Sequence, residues 1–208
     1  MSITLILIVL NVGISYYAFQ NDSVRYKLLM DPYLVASKNQ WYRFISSAFV
    51  HSSWMHLLFN MLTLYFFGES VERICMILTG NVLYGELAFL ALYFGGAIIA
   101  DIPSYIKHKG DINYRSLGAS GAVSSVVFFM IIFAPVQDIC LYFVLCLPSF
   151  ILGAAFLIYS YYQSNNPNTY INHSAHLFGA IWGIAFSILL EPNSIIRFFQ
   201  QIQTWITF

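Results

Sequence analysis

Long apolar segments with almost no charge constrain the fold of this chain more than any other feature. Charged residues make up 9% of the 208 residues and hydrophobic residues 59%, whereas soluble domains carry about 25% charged residues. A helix of about 20 mostly apolar residues crosses the hydrocarbon core of a bilayer. We therefore predict an all-α polytopic membrane protein, in which residues 1–208 form a single domain of six transmembrane helices. The predicted spans are residues 2–19, 44–67, 83–100, 117–134, 140–161 and 174–190.

Charge also limits the partners of the protein. Nine basic and nine acidic side chains give a formal net charge of zero, and a nucleic-acid-binding domain needs a basic face. We therefore predict the lipid bilayer as a partner and no nucleic acid. Because no Lys or Arg precedes the first apolar segment, we expect it to be a membrane span rather than a secretory signal peptide.

Three stretches qualify the six-span prediction. Residues 21–43 mix basic residues with tyrosines and a tryptophan, which is typical of a membrane interface. Residues 195–208 are apolar but too short to span, so we expect them along the surface. Pro148 predicts a kink in the fifth span. Cys140 and Cys146 lie in an apolar run, where free thiols pack as small hydrophobic groups, and a disulfide is not favoured.

Basic residues are distributed unevenly between the two sides of the membrane. Six spans place both termini on one side, and the loops of the other side hold seven of the nine basic residues. These seven are Arg25, Lys27, Lys38, Arg43, Lys107, Lys109 and Arg115. Because basic loops favour the cytoplasm, the positive-inside rule predicts outward-facing termini.

Polar residues inside membrane spans are costly and mark candidate functional sites. The second predicted span carries His51, His56 and Asn60. His56 and Asn60 are four residues apart and therefore share a helix face. Taken alone, these side chains are explained as polar contacts between helices.

Small residues surround a serine at the start of the fourth span. Ser120 lies between Ala119 and Gly121, and Gly118 precedes them. Such a run allows close approach of another helix or of a substrate carbonyl. Taken alone, Ser120 is explained as a packing residue whose hydroxyl bonds to its own helix.

The sixth span supplies a candidate base for this serine. His176 shares a helix face with Gly179 and Gly183, and we expect this face to pack against small residues of the fourth span. Those residues are Gly118, Gly121 and Ser125. A serine hydroxyl is a weak nucleophile until a general base takes its proton. Close helix packing would bring the imidazole within reach of Ser120.

Acyl transfer also needs donors for the oxyanion and a group that orients the base. Candidate donors for an oxyanion are His56, Asn60 and the backbone N–H of Ser120. No carboxylate is obviously placed to orient His176, so the sequence predicts a Ser–His dyad. A zinc site would group several histidines, but the sequence lacks the His-Glu-x-x-His motif of metalloproteases. We predict no metal and no cofactor.

Together these residues resemble the rhomboid family of intramembrane serine proteases. The family pattern His-x4-His-x3-Asn is matched at residues 51–60, and the Gly-x-Ser-Gly signature at residues 118–121. The pattern Ala-His-x2-Gly-x3-Gly is matched at residues 175–183. The three motifs follow one another in the second, fourth and sixth spans, and the resemblance covers residues 41–190.

The resemblance implies a role for each residue. Ser120 is similar to the family's nucleophile and His176 to its general base. His56, Asn60 and the Ser120 amide resemble its oxyanion hole. The residues that resemble supporting positions are His51, Gly118, Gly121, Gly179, Gly183, Arg43 and Glu72. The implied partners are substrate proteins with transmembrane helices, cut after a small residue.

Three positions depart from the family's pattern. Tyr42 stands where the family usually has Trp, and Met76 replaces the last glycine of a Gly-x3-Glu-x3-Gly pattern around Glu72. Ser124 replaces an aromatic ring that many members stack against the catalytic histidine. We therefore expect another group to hold His176.

The resemblance implies an intramembrane serine endopeptidase in a bacterial plasma membrane. It implies cytoplasmic termini, against the count of basic residues, and residues 167–173 are expected to form a lid. One alternative is a catalytically weak or inactive rhomboid-like scaffold that binds transmembrane helices, which Ser124 favours. A small-solute transporter is a further alternative, but the inverted repeats typical of transporters are absent from the sequence.

Overall fold

The fold is a bundle of long apolar helices, given by a computed structural model that describes residues 1–141, 145–164 and 172–207. The longer helices are α1 (Ile3–Gln20), α5 (Trp54–Thr79), α6 (Val82–His108), α7 (Ser120–Phe133), α8 (Ser149–Ser164), α9 (His173–Leu190) and α10 (Ser194–Thr207). The shorter ones are α2 (Asp22–Leu28), α3 (Pro32–Lys38) and α4 (Arg43–Ser46). Within the described residues, α1, α6 and α9 are long and apolar enough to cross a membrane. The prediction of an all-α polytopic membrane bundle is confirmed.

Helix α7 is the most enclosed part of the bundle. Ten of its 14 residues are buried, as expected of a helix that is apolar all round. Its side chains Val126 and Phe129 have no exposed surface and pack with Phe89 and Tyr93 of α6. The helix that begins at Ser120 is thus held on several sides.

The second span starts later than predicted. Residues 44–53 contain the end of α4, a short 3-10 turn (Ser47–Phe49) and extended backbone. Helix α5 begins at Trp54 because the Ser53 side chain caps it, accepting the N–H of His56 at 3.2 Å. The helix ends at Thr79 and is followed by Gly80, whose left-handed conformation is a common helix stop. The predicted end at residue 67 is wrong by about three turns.

The boundaries of the third and fourth spans also differ from the prediction. Helix α6 continues to His108 and includes Pro103, so the polar connection to α7 is shorter than predicted. Helix α7 begins at Ser120 rather than at residue 117. Gly118 has a φ of +124°, outside the helical range and accessible mainly to glycine.

The predicted fifth span is wrong over residues 140–148, which precede the helix. Strands β1 (Asp138–Leu141) and β2 (Leu145–Pro148) form an antiparallel hairpin, and α8 follows Pro148 without a kink at that proline. The residue before a proline is disfavoured in helical backbone, which keeps Leu147 in the strand and delays the helix. Cys140 pairs with Cys146 across the hairpin and forms a disulfide. The expectation of two free thiols is therefore wrong, because a hairpin and not a helix brings them together.

The connection between α1 and α5 is tied to the loop before α7. Met30 and Ser116 exchange both backbone hydrogen bonds, at 2.9 and 3.1 Å. Arg43 is 3% exposed. Its guanidinium donates to the carbonyl oxygens of Tyr26 and Leu29. The first loop is therefore a folded part of the molecule that reaches the backbone leading to Ser120.

Helix α5 contacts α1 through hydrogen bonds and α6 through a close approach of the two backbones. The buried carboxylate of Glu72 accepts the N–H groups of Ile3 and Thr4 at 3.0 and 3.1 Å, and a carboxylate is favourable at a helix N-terminus. A Cβ on Gly85 of α6 would lie 2.5 Å from the Cα of Met76. The family pattern has a glycine where this chain has Met76, and a glycine on the facing helix compensates for that replacement.

Candidate active site

Two glycines of α9 allow its backbone to touch that of α7. A Cβ on Gly179 would collide with the carbonyl oxygen of Gly121, and a Cβ on Gly183 with that of Ser125. The two contacts are four residues apart on each helix and follow in the same order. Helices α7 and α9 therefore run parallel and begin at the same end. The predicted packing of the α9 glycine face is confirmed for Gly121 and Ser125, whereas Gly118 faces α5.

This packing brings the start of α7, with Ser120, close to the start of α9, with His176. A Cβ on Gly121 would lie 3.5 Å from the carbonyl oxygen of Ala175, the residue before His176. Ser120 is the first residue of α7, and His176 lies in the first turn of α9. Both side chains are half-buried. Among the described contacts no hydrogen bond joins them; such bonds are often long in free enzymes and shorten when substrate binds.

His56 lies against the backbone that leads into α7. A Cβ on Gly118 would lie 2.5 Å from Cε1 and 2.8 Å from Nε2 of His56. Nδ1 of the same ring lies 3.0 Å from the Ser52 hydroxyl oxygen. When the Ser52 hydroxyl donates to Nδ1, Nε2 carries the proton and becomes a hydrogen-bond donor on the side of Gly118. Gly118 therefore needs to be glycine for both its φ and its contact.

Among the described residues, one side-chain amide of α5 lacks an acceptor, and the first amides of α7 receive none from the side chain of the N-cap. Asn60 is 7% exposed, and its Nδ2 has no hydrogen-bond partner among the described residues. Ala119, the N-cap of α7, provides no side-chain acceptor for the first amides of that helix. The first N–H groups of a helix have no acceptor within it. Free donors of this kind are what an oxyanion requires.

His51 lies in the extended backbone before α5, not on the helix as predicted. Its ring is fully buried, and Nε2 accepts the N–H of Ala119 at 3.4 Å. Nδ1 therefore carries the proton and donates to the Ser15 hydroxyl at 2.8 Å. Ser15 in turn donates to the carbonyl oxygen of Phe49 at 2.9 Å. This chain of bonds fixes the backbone next to Ser120, and only the polarity of Ser15 within an apolar span signalled its involvement.

A second chain of bonds fixes the residue two places before Ser120. The N–H of Gly118 donates to the carbonyl oxygen of Ser47 at 2.9 Å. The hydroxyl of Ser47 donates to the carboxylate of Asp101 at 3.1 Å. Asp101 was not predicted as a site residue, although a carboxylate within an apolar helix is itself a signal.

The start of α9 is fixed by Asn172. Its side chain caps the helix by accepting the N–H of Ala175 at 3.1 Å, and it donates to the hydroxyls of Ser104 and Tyr114 at 3.0 and 3.3 Å. Burial raises the pKa of the Tyr114 phenol, which keeps it protonated. Apart from its last two residues, the predicted lid 167–173 lies outside the described residues.

Aromatic rings surround His176. The ring of Phe156 on α8 stacks on the imidazole, with a centroid distance of 5.8 Å and an interplanar angle of 22°. His173 meets it edge-on at 5.7 Å. Phe156 was not singled out in the sequence, because its position in an apolar run carries no distinguishing signal.

The match to a known protein family covers most of the residues described above. The Rhomboid domain family matches residues 38–193, a stretch that contains all three motifs and both chains of bonds except Ser15. The chain belongs to the rhomboid family. With its apolar helices, this membership makes it an integral membrane protein.

Relatives in the rhomboid family come from bacteria, plants and animals. The rhomboid protein YdcA of Bacillus subtilis is 29% identical over 161 residues, 75% of this chain and 70% of that protein. The mitochondrial presenilin-associated rhomboid-like protein of Homo sapiens is 28% identical over 170 residues, 76% of this chain and 42% of that protein. The rhomboid protease GluP of Bacillus subtilis is 32% identical over 87 residues, 42% of this chain and 15% of GluP. The chain thus spans less than half of the last two.

Two of the positions that resemble rhomboid supporting residues lie away from Ser120 and His176. Arg43 binds carbonyl oxygens of the first loop, and Glu72 binds the start of α1. Their contacts stabilise the fold around the site rather than the site itself. Within the described residues, no group of three or more His, Cys, Asp or Glu side chains is arranged to hold a metal ion.

Proposed function

We propose that this protein is an intramembrane serine endopeptidase that cleaves transmembrane helices of substrate proteins with a Ser120–His176 dyad. The observation that carries the proposal is the backbone contact between Gly121 and Gly179. The contact lies near the start of two parallel helices, which begin with Ser120 and carry His176 in the first turn. A relative that bears the name rhomboid protease supports it.

The chemistry follows from the groups present. Ser120 Oγ attacks the carbonyl carbon of the scissile peptide, and His176 takes the hydroxyl proton and gives it to the departing amine. Water then attacks the ester, with His176 again accepting and returning a proton. His56 Nε2, Asn60 Nδ2 and the Ser120 N–H stabilise the oxyanion, each donor contributing about 3 kcal/mol in the transition state. The proposal requires neither metal nor cofactor.

The substrate must expose a peptide carbonyl inside the membrane. A regular helix hides each carbonyl in a backbone hydrogen bond, so we expect substrates to contain helix-destabilising residues near the cut. Family likeness adds a small residue before the scissile bond. We further propose a bacterial plasma membrane, with both termini in the cytoplasm.

A rhomboid-like scaffold that binds transmembrane helices without cutting them is the second candidate. It is favoured by the small side chain of Ser124 and by the absence, among the described contacts, of a hydrogen bond between Ser120 and His176. The two candidates differ in one outcome, which is peptide-bond cleavage.

Cleavage in proteoliposomes tests the proposal. The full chain is reconstituted with a single-span substrate containing helix-breaking residues, and product is quantified for wild type, Ser120→Ala and His176→Ala. We expect both variants to fall below about a thousandth of the wild-type rate. The control is Ser37→Ala, whose exposed hydroxyl bonds only its own helix. Binding of the substrate by wild type without any cleavage would establish the scaffold instead.

A further inference from the structure

Among the described residues, the imidazole of His176 contacts aromatic rings and forms no hydrogen bond. No hydrogen bond to its nitrogens is formed among the described residues, and no carboxylate contacts it. In other Ser–His sites a third group orients the base. Here the ring of Phe156 forms an offset stack with the imidazole, and His173 meets it edge-on.

We infer that Phe156 is a positioning residue, which fixes the plane of the His176 imidazole so that one nitrogen faces Ser120. This inference rests on the proposed function. A near-parallel arrangement at 5.8 Å with an interplanar angle of 22° is an offset stack, a favoured geometry for two π-systems. Rotation of the imidazole out of this plane would lose the stack.

Phe156 is itself held in place by the bundle. Its ring packs against Phe128 of α7 at a centroid distance of 5.8 Å, in a cluster with Ile131 and Ala180. One turn before Phe156, a Cβ on Gly153 would lie 2.9 Å from Cδ1 of Ile131, so α8 approaches α7 closely at this level. The stacking ring is therefore pinned between α7 and α9 and does not simply follow the imidazole.

The stack also explains how the imidazole is oriented although residue 124 is a serine and not an aromatic residue. That residue lies one turn after Ser120 on α7, is 8% exposed and offers no ring to the imidazole. Phe156 supplies from α8 the aromatic surface that α7 lacks. His176 is thus oriented by a helix other than the one that carries the nucleophile.

Replacement of the ring on α8 tests this role. The variants are Phe156→Leu and Phe156→Tyr, with Phe150→Leu as the matched control, since Phe150 lies on the same helix and contacts Trp205 instead. We expect Phe156→Leu to lower kcat about 10- to 100-fold with little change in KM, because small misplacements of a reacting group cost this much. Phe156→Tyr keeps the stack and retains kcat near the wild-type value. Thermal unfolding in detergent confirms that each variant is folded.

Three results would overturn the inference. They are an unchanged kcat in Phe156→Leu, an equal loss in Phe150→Leu or Phe156→Tyr, and a rise in KM at constant kcat, which would indicate substrate contact. All three require a wild type that cleaves. A wild type that cleaves nothing rejects the proposed function and this role together, so the two failures are distinguishable.

Discussion

At the scale of single residues, Asn60 is the sharpest test of the oxyanion site, because its buried Nδ2 has no partner among the described residues. A donor that acts only on the transition state lowers kcat and leaves KM unchanged when removed. We expect Asn60→Ala to reduce kcat by about 10²- to 10³-fold with no loss of thermal stability. Steady-state cleavage and unfolding in detergent measure the two quantities.

Asn11 provides the matched control for this prediction. It is also a buried asparagine in a span, but its Nδ2 donates to the carbonyl oxygen of Leu7 and to the hydroxyl of Tyr93. Asn11→Ala should therefore lower stability, by about 1 kcal/mol, and leave kcat unchanged. If Asn60→Ala behaves like Asn11→Ala, the amide is a structural contact and not an oxyanion donor.

Part of the candidate site could be proposed from sequence because its residues lie in short motifs. The motifs led to Ser120, His176, His56 and Asn60 without knowledge of any contact. Ser15, Asp101 and Phe156 could not be found in this way. Each contacts a residue of the candidate site or of its surroundings that is far away in sequence. A single serine or phenylalanine in an apolar span is also common in ordinary helix packing, so its residue type alone does not mark a functional position.

At the scale of elements, the site depends on the close approach of α7 and α9. Gly179→Ala places a methyl group against the carbonyl oxygen of Gly121, where neither backbone can yield without moving the helix. We expect stability to fall by about 1–3 kcal/mol and cleavage to fall with it, because the helices that carry Ser120 and His176 are forced apart. Unfolding in detergent and proteoliposome cleavage report the two effects.

The control for the helix contact is Gly13→Ala in α1, where an added Cβ meets nothing within 4 Å. A glycine inside a helix is unfavourable relative to alanine by about 0.5–1 kcal/mol, so this variant should be at least as stable as wild type and fully active. Normal stability and activity in Gly179→Ala would show that the helices do not need the observed contact.

The helix boundaries that could be predicted are those set by composition. Helices α1 and α9 lie within one residue of the predicted spans 2–19 and 174–190, since polar residues flank both. The predicted spans are wrong at residues 44–53 and 140–148 because a helix cap and a proline interrupt the helix there. A serine cap starts α5, and a proline ends a strand before α8. A hydropathy pattern detects neither the serine cap nor the proline.

At the scale of the whole molecule, three basic residues of the loops predicted to lie opposite the termini form polar contacts within the fold. Arg25 pairs with Asp22 at 2.7 Å and Arg115 with Asp31 at 3.4 Å, and the Arg43 guanidinium is buried against carbonyl oxygens. The positive-inside rule counts such residues as if they were free. Because acidic partners carry little weight in that rule, these ion pairs do not reconcile the charge count with the orientation that the family likeness implies.

The most direct test of the central claim is covalent labelling of the whole protein in liposomes with a fluorophosphonate, which reacts with activated serine hydroxyls. Peptide mapping by mass spectrometry then locates the adduct. We predict one adduct, on Ser120, in wild type, and none in His176→Ala, although that variant keeps the serine. Absence of labelling, an adduct on another serine, or equal labelling of His176→Ala would contradict a Ser120 nucleophile activated by His176.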